Sequence, residues 1–437
     1  MADRFANTPG RRFLKLTGMT AKVAGKYTAT RIRNHLTKKN EGKDEALAAM
    51  YAEVGEEVLQ TLGEMKGAAM KVGQIASQLG HLLPPELAEK LTRLQQQSPP
   101  VPYAVMAAQV KRELGFPPEK LFRHFEPLPF AAASIGQVHR AVTRDGRKVV
   151  VKIQYPGVQQ SCRSDLVQLK RLFSLAGLVK IDPEALDQLF LEIEQKLMEE
   201  LDYQAEADNL REFRAFHSDF PQVVIPEVIE EYTTAQVLCL SDEPGDNIAA
   251  LAGKGYSKAD INDLAQVLVA AMLREVLYHG RAHCDPHPGN FAFRKSGEVV
   301  IYDYGCVADI CEVVIDRYID IVEAGLAGEF HRVDGLLVQL GLRDADTPEV
   351  SAELYRQLFV DFVEPVLQET DLAVMTERIR DGVGRHVDTF LALRGRFRPS
   401  AATIFLNRVL TGHLLNLAQI GVDVDLKPVV LSHLFEE

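Results

Sequence analysis

The segment His283-Cys284-Asp285-Pro286-His287-Pro288-Gly289-Asn290 contains the spacing H-x-D-x-x-x-x-N, and Asp303-Tyr304-Gly305 follows it. Phosphoryl transfer asks little covalent chemistry of a protein. It needs a carboxylate near the acceptor hydroxyl and ligands for a metal that neutralises the phosphates. Asp285 stands where such a catalytic base would be. Asn290 can turn its side-chain oxygen to a metal, and Asp303 is the candidate second metal ligand, as in a D-F-G-type motif. Each piece alone is a weak signal; the two joined by a short hairpin are a strong one. A competing reading takes His283, Asp285 and His287 as ligands of a hydrolytic metal, because alternate residues in H-x-D-x-H can converge. Against it, Pro286 and Pro288 make the segment a turn, and no upstream His/Asp cluster completes the set.

Lys152 lies in Val149-Val150-Val151-Lys152-Ile153, a β-branched run shaped like the V-A-I-K strand that places a lysine on nucleotide phosphates. A lone strand lysine is usually a solvated edge residue. Here a loop of small residues precedes it and a long acidic helix follows, so the functional reading prevails. Glu206, in Tyr203-Gln204-Ala205-Glu206-Ala207, is the expected ion-pair partner. The upstream loop reads Ala131-Ala132-Ala133-Ser134-Ile135-Gly136-Gln137 and is the candidate nucleotide loop. Glycine usually fills such loops because it reaches φ values other residues avoid. Alanine keeps its Cβ, so this loop is stiffer.

Periodicity indicates the elements that must hold these residues. Helices are expected over 45–65, 66–79, 86–97 and 101–114, with Ser98-Pro99-Pro100 as a stop. Residues 134–141 and 148–154 read as a hairpin turning at Arg144-Asp145-Gly146-Arg147. Two long helices, 158–179 and 183–217, then short strands over 223–232 and 235–240, follow. Residues 265–277 are apolar nearly all round, as in a buried core helix. Phe291-Ala292-Phe293 and Val299-Val300-Ile301-Tyr302 form a second hairpin, and the chain from Cys311 onward reads as helices.

The chain has 437 residues, long enough for about three domains or one large bilobed enzyme. Its 46% hydrophobic and 25% charged residues are those of an ordinary globular protein. A net charge of −12 argues against a general nucleic-acid binder. Five cysteines, an odd number without a C-x-x-C pair, read as reduced thiols of a cytosolic protein. No run reaches the roughly 18 uninterrupted apolar residues of a membrane span, so any membrane contact is expected to be peripheral. Residues 1–40 carry +9, which leaves −21 on the other 397. Phe13, Leu14, Leu16, Met19, Val23 and Tyr27 interleave with the basic residues at helical spacing. A basic amphipathic helix on an acidic body fits an anionic membrane surface.

Pro129 to His139, Lys71-Val72-Gly73-Gln74, Glu200-Leu201-Asp202 and His283 to Phe291 together resemble the UbiB/AarF/ADCK family of atypical kinases, over about residues 45 to 310. The resemblance implies a protein-kinase-like fold with an N-terminal helical extension whose K-x-G-Q helix covers the active site. By it, Lys71 and Gln74 belong to that occluding helix, and Glu200 and Asp202 to the long helix facing it. Lys71 and Gln74 are i, i+3; Asp202 and Glu206 are i, i+4 and are expected on one helix face. The resemblance further implies that Glu206 pairs with Lys152, that Asp285 is catalytic, and that Asn290 and Asp303 bind magnesium. Tyr304 stands where the family has Phe, and Ser241-Asp242-Glu243-Pro244-Gly245 matches the family's hinge only loosely.

The expected class is α+β, a bilobed protein-kinase-like fold. Its parts are a basic arm (1–44), a helical extension (45–100), a sheet-bearing lobe (101–240) and a helical lobe (241–437). The expected activity is that of an atypical kinase or ATPase using ATP (or ADP) and Mg2+ in support of isoprenoid quinone biosynthesis. Its expected partners are nucleotide, anionic membrane lipids, quinone precursors and quinone-biosynthesis enzymes, with no nucleic acid. The expected location is cytoplasmic and peripheral to the membrane. Two rivals share the motifs. One is a small-molecule phosphotransferase, which would lack the Lys71-x-Gly73-Gln74 helix. The other is a nucleotide-gated lipid-binding scaffold with slow hydrolysis.

Overall fold

The computed structural model describes residues 100–132, 135–175, 200–393, 395–398 and 411–435, with shorter pieces among 15–61 and 187–198. The chain divides into two compact units, Met1–Ala207 with Val228–Asp242, and Asp208–Glu227 with Glu243–Glu437. The expected boundary near residue 240 is thus crossed by one segment, 208–227, which belongs to the second unit.

In the first unit, strands β1 (His124–Phe125), β2 (Ala131–Ala132), β3 (Gly136–Val142), β4 (Lys148–Gln154) and β6 (Val237–Ser241) form one antiparallel sheet in the order β1-β3-β4-β6, with β2 on β3. The β3–β4 hairpin turns where the sequence predicts. Gly146 sits at φ 92°, a value that favours glycine, and its N–H reaches the Thr143 carbonyl at 3.0 Å. In β4 the residues alternate, with Val149, Val151 and Ile153 buried and Lys152 on the other face. Helix α1 (Tyr103–Leu114) ends at Gly115 in the left-handed region, and α2 (Val158–Leu175) follows β4.

The expected single helix over 183–217 is broken. Leu201 is a turn, and α3 (Tyr203–Phe216) starts afresh with Asp202 as its cap, whose carboxylate accepts from the N–H groups of Gln204 and Ala205 at 3.1 Å. Asp202 therefore does not share a helix face with Glu206. A short acidic side chain satisfies the orphan N–H groups of a new helix better than it suits a helix interior.

The N-terminal arm is helical over 17–23, as is 49–57. Lys22 bonds Glu57 at 2.7 Å and Lys26 bonds Glu53 at 3.1 Å, a pairing that runs the two helices antiparallel. Met19 and Val23 are buried, as are Met50, Tyr51 and Val54. Of the residues expected on the lipid-facing stripe, Met19 and Val23 are packed inside the unit, while Phe13, Leu14, Leu16 and Tyr27 lie outside the described residues.

In the second unit, β5 (Val223–Val224), β9 (Val299–Ile301) and β8 (Phe291–Phe293) form a three-stranded sheet, and β7 (Arg281–His283) pairs with β10 (Val307–Asp309). Helix α4 (Lys258–His279) opens with a capping box between Ser257 and Asp260. Its buried residues, from Leu264 to Val276, take up one side of the helix, and Gln266, Val267, Ala270, Arg274 and Leu277 on the other side are half-buried. Beyond Asp309 the described residues form helices joined by loops, with two isolated bridges, Arg343 with Phe397 and Asp371 with Asp423. Among the described residues no helix is long and apolar enough to cross a membrane.

Candidate active site

In the first unit, Lys152 lies between Val138 of β3 and Leu238 of β6. Its Nζ donates to Glu206 Oε1 at 2.8 Å and Oε2 at 2.9 Å, and it lies 5.1 Å from the centre of the buried Tyr203 ring. Tyr203 and Glu206, three residues apart in the first turn of α3, present one face to the lysine. That turn also favours a carboxylate, because unpaired N–H groups give it a positive end. The Asp202 cap thus sets the register that delivers Glu206. Glu200 is half-buried in helical backbone just before the break.

The alanine-rich segment begins as β2, exposed at Ala131 and Ala132 and paired to Val138 and Gln137. Ala133 and Ser134 lie outside the described residues, as do Lys71 and Gln74. Ile135 is buried, and its carbonyl accepts from Tyr155 N–H at 2.8 Å. At Gly136 a Cβ would fall 2.4 Å from the Ile153 carbonyl oxygen, so only glycine fits.

Gln137, expected at the nucleotide, has its side chain wholly buried and turned the other way. Its Oε1 accepts from Val101 N–H at 3.0 Å, and its Nε2 donates to the Val101 carbonyl at 3.2 Å and to His139 Nε2 at 2.9 Å. His139 Nδ1 faces only the Glu126 carbonyl, 2.8 Å away, so Nδ1 carries the proton and Nε2 accepts. Burial lowers the His139 pKa and keeps the ring neutral. A primary amide offers both a donor and an acceptor, which is what the backbone of Val101 needs. The Gln137 side chain is a strut for the entry to α1.

In the second unit, Asp285 follows β7. Asn290 Nδ2 donates to Asp285 Oδ2 at 3.0 Å and to the Asp285 carbonyl at 3.1 Å. The amide nitrogen thus faces Asp285, which leaves Oδ1 as the Asn290 side-chain atom that could coordinate a metal. Asp303 follows the β8–β9 hairpin, and its Oδ1 accepts from Gly305 N–H at 2.8 Å. One carboxylate and one carboxamide oxygen suit magnesium, which keeps waters and phosphate oxygens for its other positions. The rival metal reading does not survive. His287 Nδ1 accepts from Gly289 N–H at 3.1 Å, and His283 is enclosed by Phe291 and Tyr304. Among the described residues no three His, Cys, Asp or Glu side chains gather at a metal-binding distance.

Tyr304 is fully buried, and its hydroxyl donates to Glu275 Oε1 at 2.9 Å on α4. His217 Nε2 lies 3.1 Å from the same oxygen. The hydroxyl that distinguishes Tyr from Phe here meets a buried carboxylate. Burial, then the neighbouring Glu275 charge, raises the Tyr304 pKa. Asn209 on α3 donates to the Tyr304 carbonyl at 2.9 Å and accepts from Arg281 at 3.1 Å. The segment after β6 is tied to the same hairpin. Arg294 donates to the Pro244 carbonyl and to Glu243, each at 2.8 Å, and the Tyr302 hydroxyl donates to the Glu243 carbonyl at 2.7 Å.

The helix expected past Cys311 is present at 411–419, but its part in the site was not legible in the sequence. Asn416 Nδ2 donates to the Pro286 carbonyl at 2.5 Å, and a Cβ on Gly412 would fall 2.2 Å from Pro286 Cγ. His413 is buried, edge-on to Phe291 at 5.0 Å and 6.5 Å from His283. Burial, then the adjacent His283, lowers the His413 pKa to about 3. The only hints in the sequence were a glycine, a histidine and an asparagine interrupting an apolar run, with nothing to name Pro286 as their target.

A family model described as an ABC1 atypical kinase-like domain matches residues 93–336. The chain is 29% identical over 377 residues to the mitochondrial atypical kinase COQ8 of Saccharomyces cerevisiae, covering 84% of this chain and 73% of that protein. It is 35% identical over 283 residues to the mitochondrial atypical kinase COQ8B of Rattus norvegicus, covering 64% and 52%. It is 32% identical over 274 residues to the AarF domain-containing protein kinase 1 of Xenopus tropicalis, covering 61% and 52%. The chain spans about half the length of several curated relatives it matches. Among solved structures, the Rv3197–erythromycin complex from Mycobacterium tuberculosis matches with a TM-score of 0.64 at 26% identity, covering 90% of this chain and 98% of that one.

Proposed function

The chain belongs to the ABC1 atypical kinase-like family, and from that premise we propose that it is a magnesium-dependent kinase or ATPase of ATP (or ADP) that supports isoprenoid quinone biosynthesis at a membrane surface. The observation that carries this reading is that each unit holds its own half of the required set. The first has the Lys152–Glu206 pair. The second has Asp285 held by Asn290, with Asp303 on the next hairpin. Lys152 would meet phosphate oxygens, kept straight by Glu206. Magnesium, held by Asn290 and Asp303, would neutralise phosphate charge. Asp285 would accept the proton of the attacking hydroxyl or water, with the Asn290 amide fixing its orientation. The relatives named COQ8 favour the quinone assignment.

The decisive experiment is thermal stabilisation of the pure protein by ATP and ADP with and without magnesium, together with nucleotide turnover on anionic liposomes. Stabilisation should require magnesium and should vanish in Asp303→Asn. Unchanged stabilisation in that variant would place the metal elsewhere.

Membrane docking is a separate part of the proposal and rests on charge alone. The +9 of residues 1–40 must be the attracting element, because the rest of the chain is acidic. Since Met19 and Val23 are packed, docking would be electrostatic and should fade as salt rises. Pelleting with phosphatidylglycerol vesicles that is insensitive to salt would contradict this.

A further inference from the structure

The β7–β10 ladder pairs Val307 with His283, and it continues one step further. Cys284 N–H donates to the Cys306 carbonyl at 2.8 Å, which puts the two cysteines directly opposite each other. Directly opposed residues of an antiparallel pair project to the same face, with Cα atoms about 5.5 Å apart at a hydrogen-bonded position. That separation lies inside the window of about 4.4–6.8 Å within which a disulfide can close. Both residues are thiols here, Cys284 buried and Cys306 half-buried. Their positions in the chain are what give the pair consequence. Cys284 immediately precedes Asp285, and Cys306 immediately follows Asp303-Tyr304-Gly305.

We propose that Cys284 and Cys306 form a reversible modification site, closing to a cross-strand disulfide on exposure to hydrogen peroxide and thereby suppressing the activity of the neighbouring site. Cys306, the more accessible thiol, reacts first. Its sulfur forms an S–O bond as the peroxide O–O bond breaks, and the second oxygen leaves as water with the thiol proton. Cys284 sulfur then forms the S–S bond as the S–O bond breaks, and the hydroxyl leaves as water with the Cys284 proton. Two thiols and one peroxide give one disulfide and two waters. The sulfurs lose two electrons and the peroxide oxygens gain them.

The effect on the site follows from distance. Side chains directly opposite in a ladder have Cβ atoms about 4.5–5.5 Å apart, whereas a disulfide draws them to about 3.8 Å. The strands must close by roughly an ångström, and a displacement of that size at a reacting group can cost about a hundredfold in rate. This loss of activity rests on the kinase or ATPase reading; formation of the bond does not.

The test treats the full chain with hydrogen peroxide, blocks remaining thiols, and identifies cross-linked peptides by mass spectrometry without reduction. A peptide joining Cys284 to Cys306, lost on treatment with dithiothreitol, is expected. Cys306 found only as sulfinic acid, or joined to the exposed Cys311, would overturn the proposal. In parallel, magnesium-dependent nucleotide turnover should fall at least tenfold on oxidation and return on reduction. Cys306→Ser, and separately Cys284→Ala should the first variant fold poorly, should keep their turnover through the same treatment. Loss of turnover in those variants too would show that oxidation acts elsewhere. A reduced chain with no turnover would count against the proposed function, while the peptide result would still decide the thiol pair.

Discussion

Both carboxylate oxygens of Glu206 lie within 2.9 Å of Lys152 Nζ, with 16% of the lysine side chain and 2% of the glutamate side chain exposed. A pair this enclosed is costly to break, because removing one partner strands a charge away from water, at about 3–5 kcal/mol. Replacing both ends by apolar groups of similar volume escapes that cost. Lys152→Met alone and Glu206→Leu alone should each lower the melting temperature strongly, whereas the double variant should recover most of it. Nucleotide binding should be lost in all three. Recovery of binding in the double variant would mean that the lysine serves stability only.

Gly136 should tolerate no side chain. Its Cβ would lie 2.4 Å from the Ile153 carbonyl oxygen, a backbone atom that cannot rotate away. Gly136→Ala must push β3 from β4 next to Lys152, and overpacking of this kind costs about 1–3 kcal/mol. A urea-unfolding midpoint equal to that of the unaltered protein would show that the strands yield without strain.

Gly412 and Asn416 should act on rate more than on binding. They touch the Pro286 end of the loop that carries Asp285. Gly412→Ala and Asn416→Leu are expected to lower kcat by about tenfold or more while leaving the nucleotide KM within a few-fold. A matched loss in kcat and a rise in KM would instead indicate general collapse of the second unit.

His413 sets a dependence of stability on pH. Its folded pKa is lowered to about 3 from 6.5. Between those values the unfolded chain binds a proton that the folded chain does not, so stability rises with pH through the window and levels off above it. The slope from this residue approaches about 1.4 kcal/mol per pH unit near pH 5. His139 and His279 are shifted the same way, so some slope belongs to them. Denaturant midpoints measured from pH 7.5 to 5 should fall less steeply in His413→Phe than in the unaltered chain. Parallel curves would show that another group carries the effect.

Local spacing determined the chemistry. Val149 to Ile153 is β-branched and alternates, so it forms a strand that buries one face and leaves Lys152 on the other. The four residues between Asp285 and Asn290 span one tight turn, so the amide reaches back to the carboxylate whatever lies around it. The acidic helix after the strand points to Glu206 as the lysine's partner, as does the resemblance, and the structure supplies that contact. Three things were decided only by tertiary structure, because each depends on a partner far away in the chain. Asp202 could have continued a helix, yet it caps one, since α3 turns off to bring Tyr203 and Glu206 onto Lys152. Gln137 sits in a motif that reads as nucleotide-binding, but its amide is consumed by Val101, 36 residues earlier. Nothing in the pattern around Gly412 and Asn416 names a target; their role follows from packing against Pro286, 130 residues before Asn416. Sequence period reports which face of an element is apolar, but not what that face meets.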